Sequence, residues 1–281
     1  GLKDRGALAV HYVCPQVWAW RAGRIPHIRR AVDLVLTLFP FEVPFLVRHG
    51  IDAVFVGHPL ADRIPIAPGR APVRAALGLP DAGDWVAVMP GSRRQELLRH
   101  VDLFLRAAET LRQQRPGVRF VAGAVHARAA AFIRAQHAAL VPTLPLVIVE
   151  GRASEVLMAV DAALVVSGTV SLEAALCGTP AVVAYRLSPL SYWWLRRAVK
   201  VPHIALPNLL LGRRLFPEFV QAAAEPGALA GAVAAWLEDT TARDACRDAC
   251  AALHRELARG AARAAPDALG RALAARAGSS P

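Results

Sequence analysis

Short, uninterrupted runs of apolar residues recur along the chain, and stretches with a helical spacing of apolar and polar positions separate them. A run of about five apolar residues is typical of a strand buried on both faces of a sheet. The predicted strands cover residues 7–13, 33–38, 53–56, 85–89, 118–122, 145–149, 162–166 and 181–185. The helices predicted between them cover 16–31, 41–49, 94–114, 127–139, 154–160 (with Ser154 as its cap) and 170–177. This alternation predicts an α/β fold with parallel sheets.

The predicted strands fall into two groups. Three strands are few for an open α/β sheet, so residues 1–60 are predicted to be the back part of an incomplete domain. Residues 59–72 have the composition of a linker. Five strands between residues 85 and 185 are enough for a doubly wound sheet, which indicates a domain over 61–225. Residues 226–281 are rich in alanine and arginine and are predicted to be C-terminal helices.

The turn between the strand at 162–166 and the helix at 170–177 is a candidate anion site. Ser167, Gly168 and Thr169 form the turn, and a glycine turn at a helix N-terminus leaves backbone N–H groups that point outward. The helix dipole adds about half a positive charge there, which suits a phosphate or diphosphate. Glu173 follows one helical turn later and can accept hydrogen bonds from ribose hydroxyls. An ordinary strand–helix turn with a solvated glutamate is an equally simple interpretation.

A second candidate turn, Pro90 to Arg93, follows the strand at 85–89. Gly91 lets the backbone approach a ligand, the Ser92 hydroxyl can donate, and the Arg93 guanidinium suits a diphosphate. Because both turns follow the carboxyl ends of strands, they are expected to face one crevice, which favours a nucleoside diphosphate. No Walker lysine and no G-x-G-x-x-G motif is present in the sequence.

Composition and net charge limit the classes of molecule that the chain is expected to bind. The net charge of +11 comes almost entirely from arginine and favours polyanions, that is, nucleic acid, anionic lipid or phosphorylated substrates. No nucleic-acid motif accompanies the arginines, so we expect no nucleic-acid partner. No apolar run is long enough to span a bilayer. The cysteines Cys14, Cys177, Cys246 and Cys250 lack metal-site spacing and indicate a reducing compartment.

The remaining candidate residues and segments point to no single function. His11, His58 and His203 are isolated from one another and are not expected to bind a metal. Nothing in the spacing selects a general base among the candidates Glu42, Asp52, Asp62, Glu96 and Glu155. Residues 186–201 mix aromatic and basic side chains, which is typical of a helix on an anionic membrane surface or of an ordinary packing helix.

Seven motifs, in this order and spacing, resemble the lipid-A-disaccharide synthase family. They are residues 11–21 (HYVCPQVWAWR), 39–42 (FPFE), 57–58 (GH), 90–93 (PGSR), 167–173 (SGTVSLE), 185–186 (YR) and 207–209 (PNL). The similarity runs from residue 1 to about residue 218. The S-G-T-x-x-L-E turn alone is also found in other glycosyltransferases and in sugar epimerases, whereas the W-A-W-R and P-N-L-L segments are specific to this family.

The resemblance implies an inverting glycosyltransferase of the GT-B type, with two Rossmann-like domains of which the N-terminal, acceptor-side one is incomplete here. It implies transfer of diacylglucosamine from its UDP-activated form to lipid X, which gives the lipid A disaccharide 1-phosphate and UDP. By position, Gly91, Ser92, Arg93, Gly168 and Thr169 would surround the diphosphate, with Glu173 on the ribose. Asn208 matches the P-N-L turn as a further substrate-binding residue.

In this interpretation Arg93 stabilises the leaving UDP together with a helix N-terminus, and no metal or other cofactor is needed. The acylated substrates imply peripheral attachment to the cytoplasmic face of the bacterial inner membrane, with a homodimer as a candidate assembly.

The sequence departs from the family in one respect. The family's glycine-rich G-E-x-S-G-D stretch and its general base have no match here, so the chain is expected to be an N-terminally truncated member, inactive by itself. Two alternatives stay open: a non-catalytic, membrane-peripheral UDP-sugar-binding module, and a UDP-sugar epimerase on a similar fold.

Overall fold

A computed structural model describes residues 7–19, 22–66, 69–188, 192 and 202–277. Residues 193–201, which belong to the segment predicted to lie on a membrane surface, are outside these ranges, as are Trp20 and Arg21. The chain divides into two compact units. Unit 1 comprises Gly1–Arg63, Tyr192–Val201 and His254–Pro281, and unit 2 comprises Ile64–Ser191 and Pro202–Leu253.

Unit 1 contains a three-stranded parallel sheet in the order β1-β2-β3. Its elements are β1 (Val10–Tyr12), α1 (Ile25–Ala31), β2 (Leu34–Thr37), α2 (Glu42–Arg48), β3 (Ala53–Phe55), α3 (Pro59–Arg63) and a C-terminal helix at Ala261–Ala277. The three predicted strands are confirmed. The prediction of a helix from residue 16 is wrong, because 16–19 form a turn and the helix begins at Ile25, with a proline in its first turn.

Residues late in the chain complete unit 1. The amides of Gly260 and Ala261 donate to the Asp62 carboxylate over 2.9 and 2.6 Å, and the His58 amide donates to the Leu257 carbonyl over 2.9 Å. Gly57 has a φ of +86°, and a Cβ there would lie 2.6 Å from the Cβ of Arg259. The segment that follows β3 is therefore fixed by a chain segment about 200 residues later.

Unit 2 contains a six-stranded parallel sheet in the order β6-β5-β4-β7-β8-β9. The strands are β4 (Trp85–Met89), β5 (Arg119–Ala124), β6 (Leu146–Glu150), β7 (Ala162–Val166), β8 (Ala181–Tyr185) and β9 (Glu218–Val220). The five predicted strands are confirmed. β9 was not predicted, because a three-residue strand with a charged residue does not form an apolar run.

Helices flank this sheet. They are α4 (Arg70–Ala76), α5 (Arg94–Gln114), α6 (Ala127–Leu140), α7 (Ala153–Ala159), α8 (Thr169–Leu176), α9 (Leu206–Leu211) and α10 (Pro226–Glu238). The next helix, α11 (Thr240–Leu257), begins in unit 2 and ends in unit 1. Phe104, Phe120 and Leu229 are fully buried in the core between the sheet and its helices. Within the described ranges, no helix has the length and apolar composition to cross a bilayer.

The linker predicted at 59–72 is wrong in part, because α3 and α4 cover much of it. The predicted C-terminal segment 226–281 is not a unit by itself, since its residues are divided between unit 2 and unit 1 after Leu253. Along the chain, unit 1 first passes into unit 2 after Arg63, three residues later than the boundary predicted at residue 60.

A buried carboxylate joins the amino ends of β4 and β7. Asp161, just before β7, accepts hydrogen bonds from the guanidinium groups of Arg70 and Arg74 over 3.0 and 2.8 Å. It also accepts from the amide of Trp85, the first residue of β4, over 3.0 Å. This network fixes the two central strands at the sheet edge opposite to their carboxyl ends, so the loops after β4 and β7 emerge from a rigid base.

Candidate functional site

The carboxyl ends of β4 and β7 lie side by side at the point where the strand order reverses. From β4 the chain continues outward to β5 and β6, and it then returns to β7 on the other side of β4. Such a switch point is where open α/β sheets bind ligands. A cleft of about 270 Å³ opens there.

All the predicted site residues except Asn208 line this cleft: Gly91, Ser92, Arg93, Gly168, Thr169 and Glu173. The expectation that the two glycine turns face one crevice is therefore confirmed. Sequence reasoning missed two further glycines that line it, Gly123 near the end of β5 and Gly151 just after β6. A Cβ on Gly123 would lie 2.6 Å from the Met89 sulfur, so a side chain there would require the Met89 side chain to move.

The turn before α5 wraps around the carboxylate of Glu96. Its Oε2 accepts the amides of Ser92 and Arg93 over 2.9 and 3.2 Å, and its Oε1 accepts the Arg93 guanidinium over 2.7 Å. Gly91 has a φ of +112°, and a Cβ there would lie 2.5 Å from the Cβ of Glu96. The Ser92 amide, the Arg93 amide and the Arg93 guanidinium are thus occupied by a side chain of the protein.

Electrostatics keep Glu96 charged. Burial opposes its ionisation, but hydrogen bonds from the Ser92 and Arg93 amides and from the Arg93 guanidinium outweigh this, so the pKa of Glu96 is lowered. The Glu96 side chain is 12% exposed and its Arg93 partner is 82% exposed. Sequence reasoning had Glu96 only among the candidate bases, although a glutamate three residues after a helix cap is a known signal for this capping arrangement.

The turn before α8 is open. Gly168 caps the helix with φ 140° and ψ −156°, a conformation essentially restricted to glycine. The Ser171 hydroxyl donates to the Gly168 carbonyl over 2.7 Å and leaves the amides alone. In the part of the chain that the structure describes, the amides of Thr169 and Val170 have no hydrogen-bond partner. Two unpaired donors at a helix N-terminus therefore face the cleft beside Glu96 and Arg93.

Glu173 lies in the same cleft, one turn into α8. Its Oε1 accepts a hydrogen bond from the Ser154 hydroxyl, which leaves its other oxygen available to a ligand. Ser154 does not cap α7 as predicted: the cap residue is Arg152, and Ser154 lies within the first turn. Its hydroxyl instead orients Glu173.

Asn208 does not line the cleft, and its assignment as a substrate-binding residue stays a prediction. Its side chain is fully buried, its amide nitrogen donates to Phe216 O and to the Glu218 carboxylate, and its oxygen accepts the amides of Leu215 and Phe216. A turn is predicted for the P-N-L segment, whereas the structure has the short helix α9 there.

The role of Asn208 is indirect. The Glu218 carboxylate that it contacts also accepts the amides of Ile204 and Ala205, and the Ile204 carbonyl accepts the Ser167 hydroxyl over 2.7 Å. Ser167 lines the cleft directly before Gly168. Asn208 and Glu218 therefore position the open turn from behind.

The other candidate bases lie elsewhere. Glu155 pairs with Arg152 on α7. Glu42 is buried in unit 1, where it accepts the Trp18 indole over 3.0 Å and the Phe39 amide over 3.1 Å, and burial raises its pKa. The four cysteines are free and buried. Among the described residues, no group of three or more His, Cys, Asp or Glu is arranged to hold a metal ion.

Known proteins resemble this chain in sequence and in fold. A family model described as lipid-A-disaccharide synthetase matches residues 2–269. The chain is 48% identical over 243 residues to the lipid-A-disaccharide synthase of Alkalilimnicola ehrlichii, a match that covers 85% of this chain and 63% of the relative. The chain thus spans less than two thirds of that relative.

Two solved structures share the fold. One is a putative UDP-N-acetylglucosamine 2-epimerase from Listeria monocytogenes, with a TM-score of 0.56, 12% identity, and coverage of 88% of this chain and 64% of that one. The other is the S. aureus MnaA–UDP co-structure, with a TM-score of 0.53, 11% identity, and coverage of 79% and 56%. At such identities the likeness concerns the fold alone.

Proposed function

The chain belongs to the lipid-A-disaccharide synthase family, and from this premise we propose that unit 2 binds the UDP-activated diacylglucosamine donor of a GT-B type glycosyltransferase. The reaction transfers the sugar to lipid X and releases the lipid A disaccharide 1-phosphate and UDP. One observation carries the proposal: a single cleft at the switch point of the sheet holds two helix N-termini, an arginine and a carboxylate.

Each group has a role in this proposal. The open amides of Thr169 and Val170 bind one phosphate of UDP, and the Arg93 guanidinium neutralises charge on the diphosphate as it leaves. Glu173, oriented by Ser154, accepts hydrogen bonds from the ribose hydroxyls. These donors act on the leaving group without a metal. The UDP in the MnaA co-structure makes a uridine diphosphate a reasonable ligand for this fold.

The proposal assigns the general base of the reaction to no residue of this chain. The G-E-x-S-G-D stretch of the family is absent from the sequence, and the chain spans 63% of its relative. We therefore expect the 281-residue chain to bind UDP without appreciable transfer, since loss of a general base alone lowers a rate by about 10²- to 10⁴-fold.

Calorimetric titration of the chain with UDP, ADP and uridine tests the binding, and a transfer assay with the acylated donor and lipid X tests the reaction. We expect UDP to bind more tightly than ADP or uridine, with no turnover until the portion of the A. ehrlichii synthase that the chain does not span is supplied in a hybrid. Equal affinity for UDP and ADP would contradict the proposal.

The same assays separate the alternatives. A hybrid that binds UDP and remains inactive would support a non-catalytic UDP-sugar-binding module. Isomerisation of a UDP-sugar by the chain would instead establish an epimerase.

We also propose peripheral attachment to an anionic membrane, because both substrates carry acyl chains and the net charge is +11. Residues 191–197 combine tyrosine, two tryptophans and two arginines in a pattern typical of a membrane surface. Co-sedimentation with vesicles should require anionic lipid and weaken as salt rises. A Trp193→Ala/Trp194→Ala double variant that sediments like the parent would show that these side chains do not contact lipid.

A further inference from the structure

The Glu96 carboxylate occupies a place where an anionic ligand would bind. It accepts two backbone amides and one guanidinium, the donor set that proteins offer to phosphate groups. Its side chain fills the space that Gly91 leaves, and it lines the cleft together with Arg93. The protein thus supplies its own anion to one of the two turns, while the other turn stays open.

We propose that Glu96 is a specificity residue: an internal anion that the donor diphosphate must displace before it gains the Ser92 amide, the Arg93 amide and the Arg93 guanidinium. The inference rests on the proposed function, since it concerns the same cleft. Displacement opposes every ligand that uses these donors, so an anion with a single phosphate gains nothing from them in the parent and is held by the open turn alone. A nucleoside diphosphate has further contacts, and it binds.

The two turns give this displacement an order. A phosphate reaches the amides of Thr169 and Val170 without moving any side chain, because those donors are unpaired. Once it is held there, the second phosphate competes with Glu96 at the neighbouring turn. Arg93 is 82% exposed and free to turn its guanidinium from Glu96 to the ligand.

Glu96→Gln is the sharpest test, because glutamine keeps the shape and can still accept the amides of the helix cap but carries no charge. Glu96→Ala removes the competing group altogether. The matched control is Glu109→Gln, which removes a carboxylate from the same helix, paired there with Arg112 and away from the cleft. The full chain and its variants are titrated by calorimetry with UDP, uridine and inorganic phosphate.

Loss of a competing charged contact should raise UDP affinity by about tenfold in Glu96→Gln, which is the lower end for a hydrogen bond to a charged group. Uridine affinity should stay unchanged, because the nucleoside does not reach these donors. Inorganic phosphate should compete with UDP more strongly in Glu96→Ala than in the parent. Glu109→Gln should behave as the parent throughout.

Unchanged or weaker UDP binding in both Glu96 variants, with thermal melts that show folded protein, would overturn the inference. It would mean that Glu96 stays in place and only caps the helix. Direct phosphate binding separates this inference from the proposed function. A parent that does not bind UDP contradicts the function, whereas phosphate that binds Glu96→Ala no better than the parent contradicts the role of Glu96.

Discussion

The two turns of the cleft begin helices at the same edge of one sheet, yet they present their amides in opposite ways. The third residue of each helix makes the difference. In α5 this residue is Glu96, which is long enough to cover the Ser92 and Arg93 amides. In α8 it is Ser171, which bonds back to the Gly168 carbonyl and leaves the amides open. A glycine turn therefore indicates where an anion can bind, and the first turn of the helix decides whether the place is free.

The largest effect is expected at the open turn. Gly168→Ala forces a residue with a Cβ into φ 140°, ψ −156°, so the turn must change and both open amides lose their direction. We expect UDP affinity to fall by about 3 kcal/mol or more, the sum of two hydrogen bonds to a charged group. Calorimetry measures this.

Gly178→Ala is the matched control, since Gly178 has a φ of +68° at the other end of the same helix and does not line the cleft. It should lower the thermal stability and leave UDP affinity alone. If both variants lost UDP affinity equally, the effect would belong to the helix and not to the open turn.

A smaller loss is expected at the occupied turn. Arg93→Ala removes one charged donor but also frees Glu96 from its ion pair, and UDP affinity should fall by about 1.5–3 kcal/mol. Arg106→Ala removes a guanidinium that is paired with Asp102 on the same helix, away from the cleft, and should change nothing. Equal affinity in Arg93→Ala and the parent would remove Arg93 from the diphosphate site.

In the proposed function Glu173 contacts the ribose and not the phosphates. Glu173→Gln should weaken UDP and uridine alike by about 1 kcal/mol, because one good acceptor for the ribose hydroxyls is lost, and it should leave inorganic diphosphate unaffected. Ser154→Ala, which only frees the Glu173 side chain, should weaken the binding of UDP and of uridine less. A loss of diphosphate as large as that of UDP would place Glu173 on the phosphates.

The smallest effect concerns pH. The folded-state pKa of Glu96 lies below its ordinary value of 4.5, so its contribution to stability is present above about pH 4.5 and is lost as the pH falls through the lowered pKa. The parent should therefore lose more stability in acid than Glu96→Gln, by less than about 1 kcal/mol. Urea unfolding at pH 6 and about pH 3 measures the difference. Parallel losses in the two proteins would show that the charge of Glu96 does not stabilise the fold.

The sequence indicated the cleft because parallel strands end at one edge, and residues 85–89 and 162–166 are apolar runs that precede glycine turns. It did not place Glu96 over one turn, because Glu96 was considered only as a candidate base, although its spacing from the helix start is that of a capping glutamate. The surroundings of Asn208 could not be predicted for another reason. Its burial depends on β9 and on Glu218, and a strand of three residues leaves no periodic pattern to read. The start of α1 was misjudged because the apolar spacing from residue 16 outweighed the proline in the helix's first turn.

The late segment that completes unit 1 has a consequence for biosynthesis. Because Asp62 and His58 find their partners at Gly260, Ala261 and Leu257, the surroundings of β3 are complete only after a segment about 200 residues later has been synthesised. Unit 2 draws its residues from Ile64 to Leu253 and has them all at an earlier stage of translation. We therefore expect the cleft of unit 2 to form on the nascent chain before β1, β2 and β3 gain full protection from proteases.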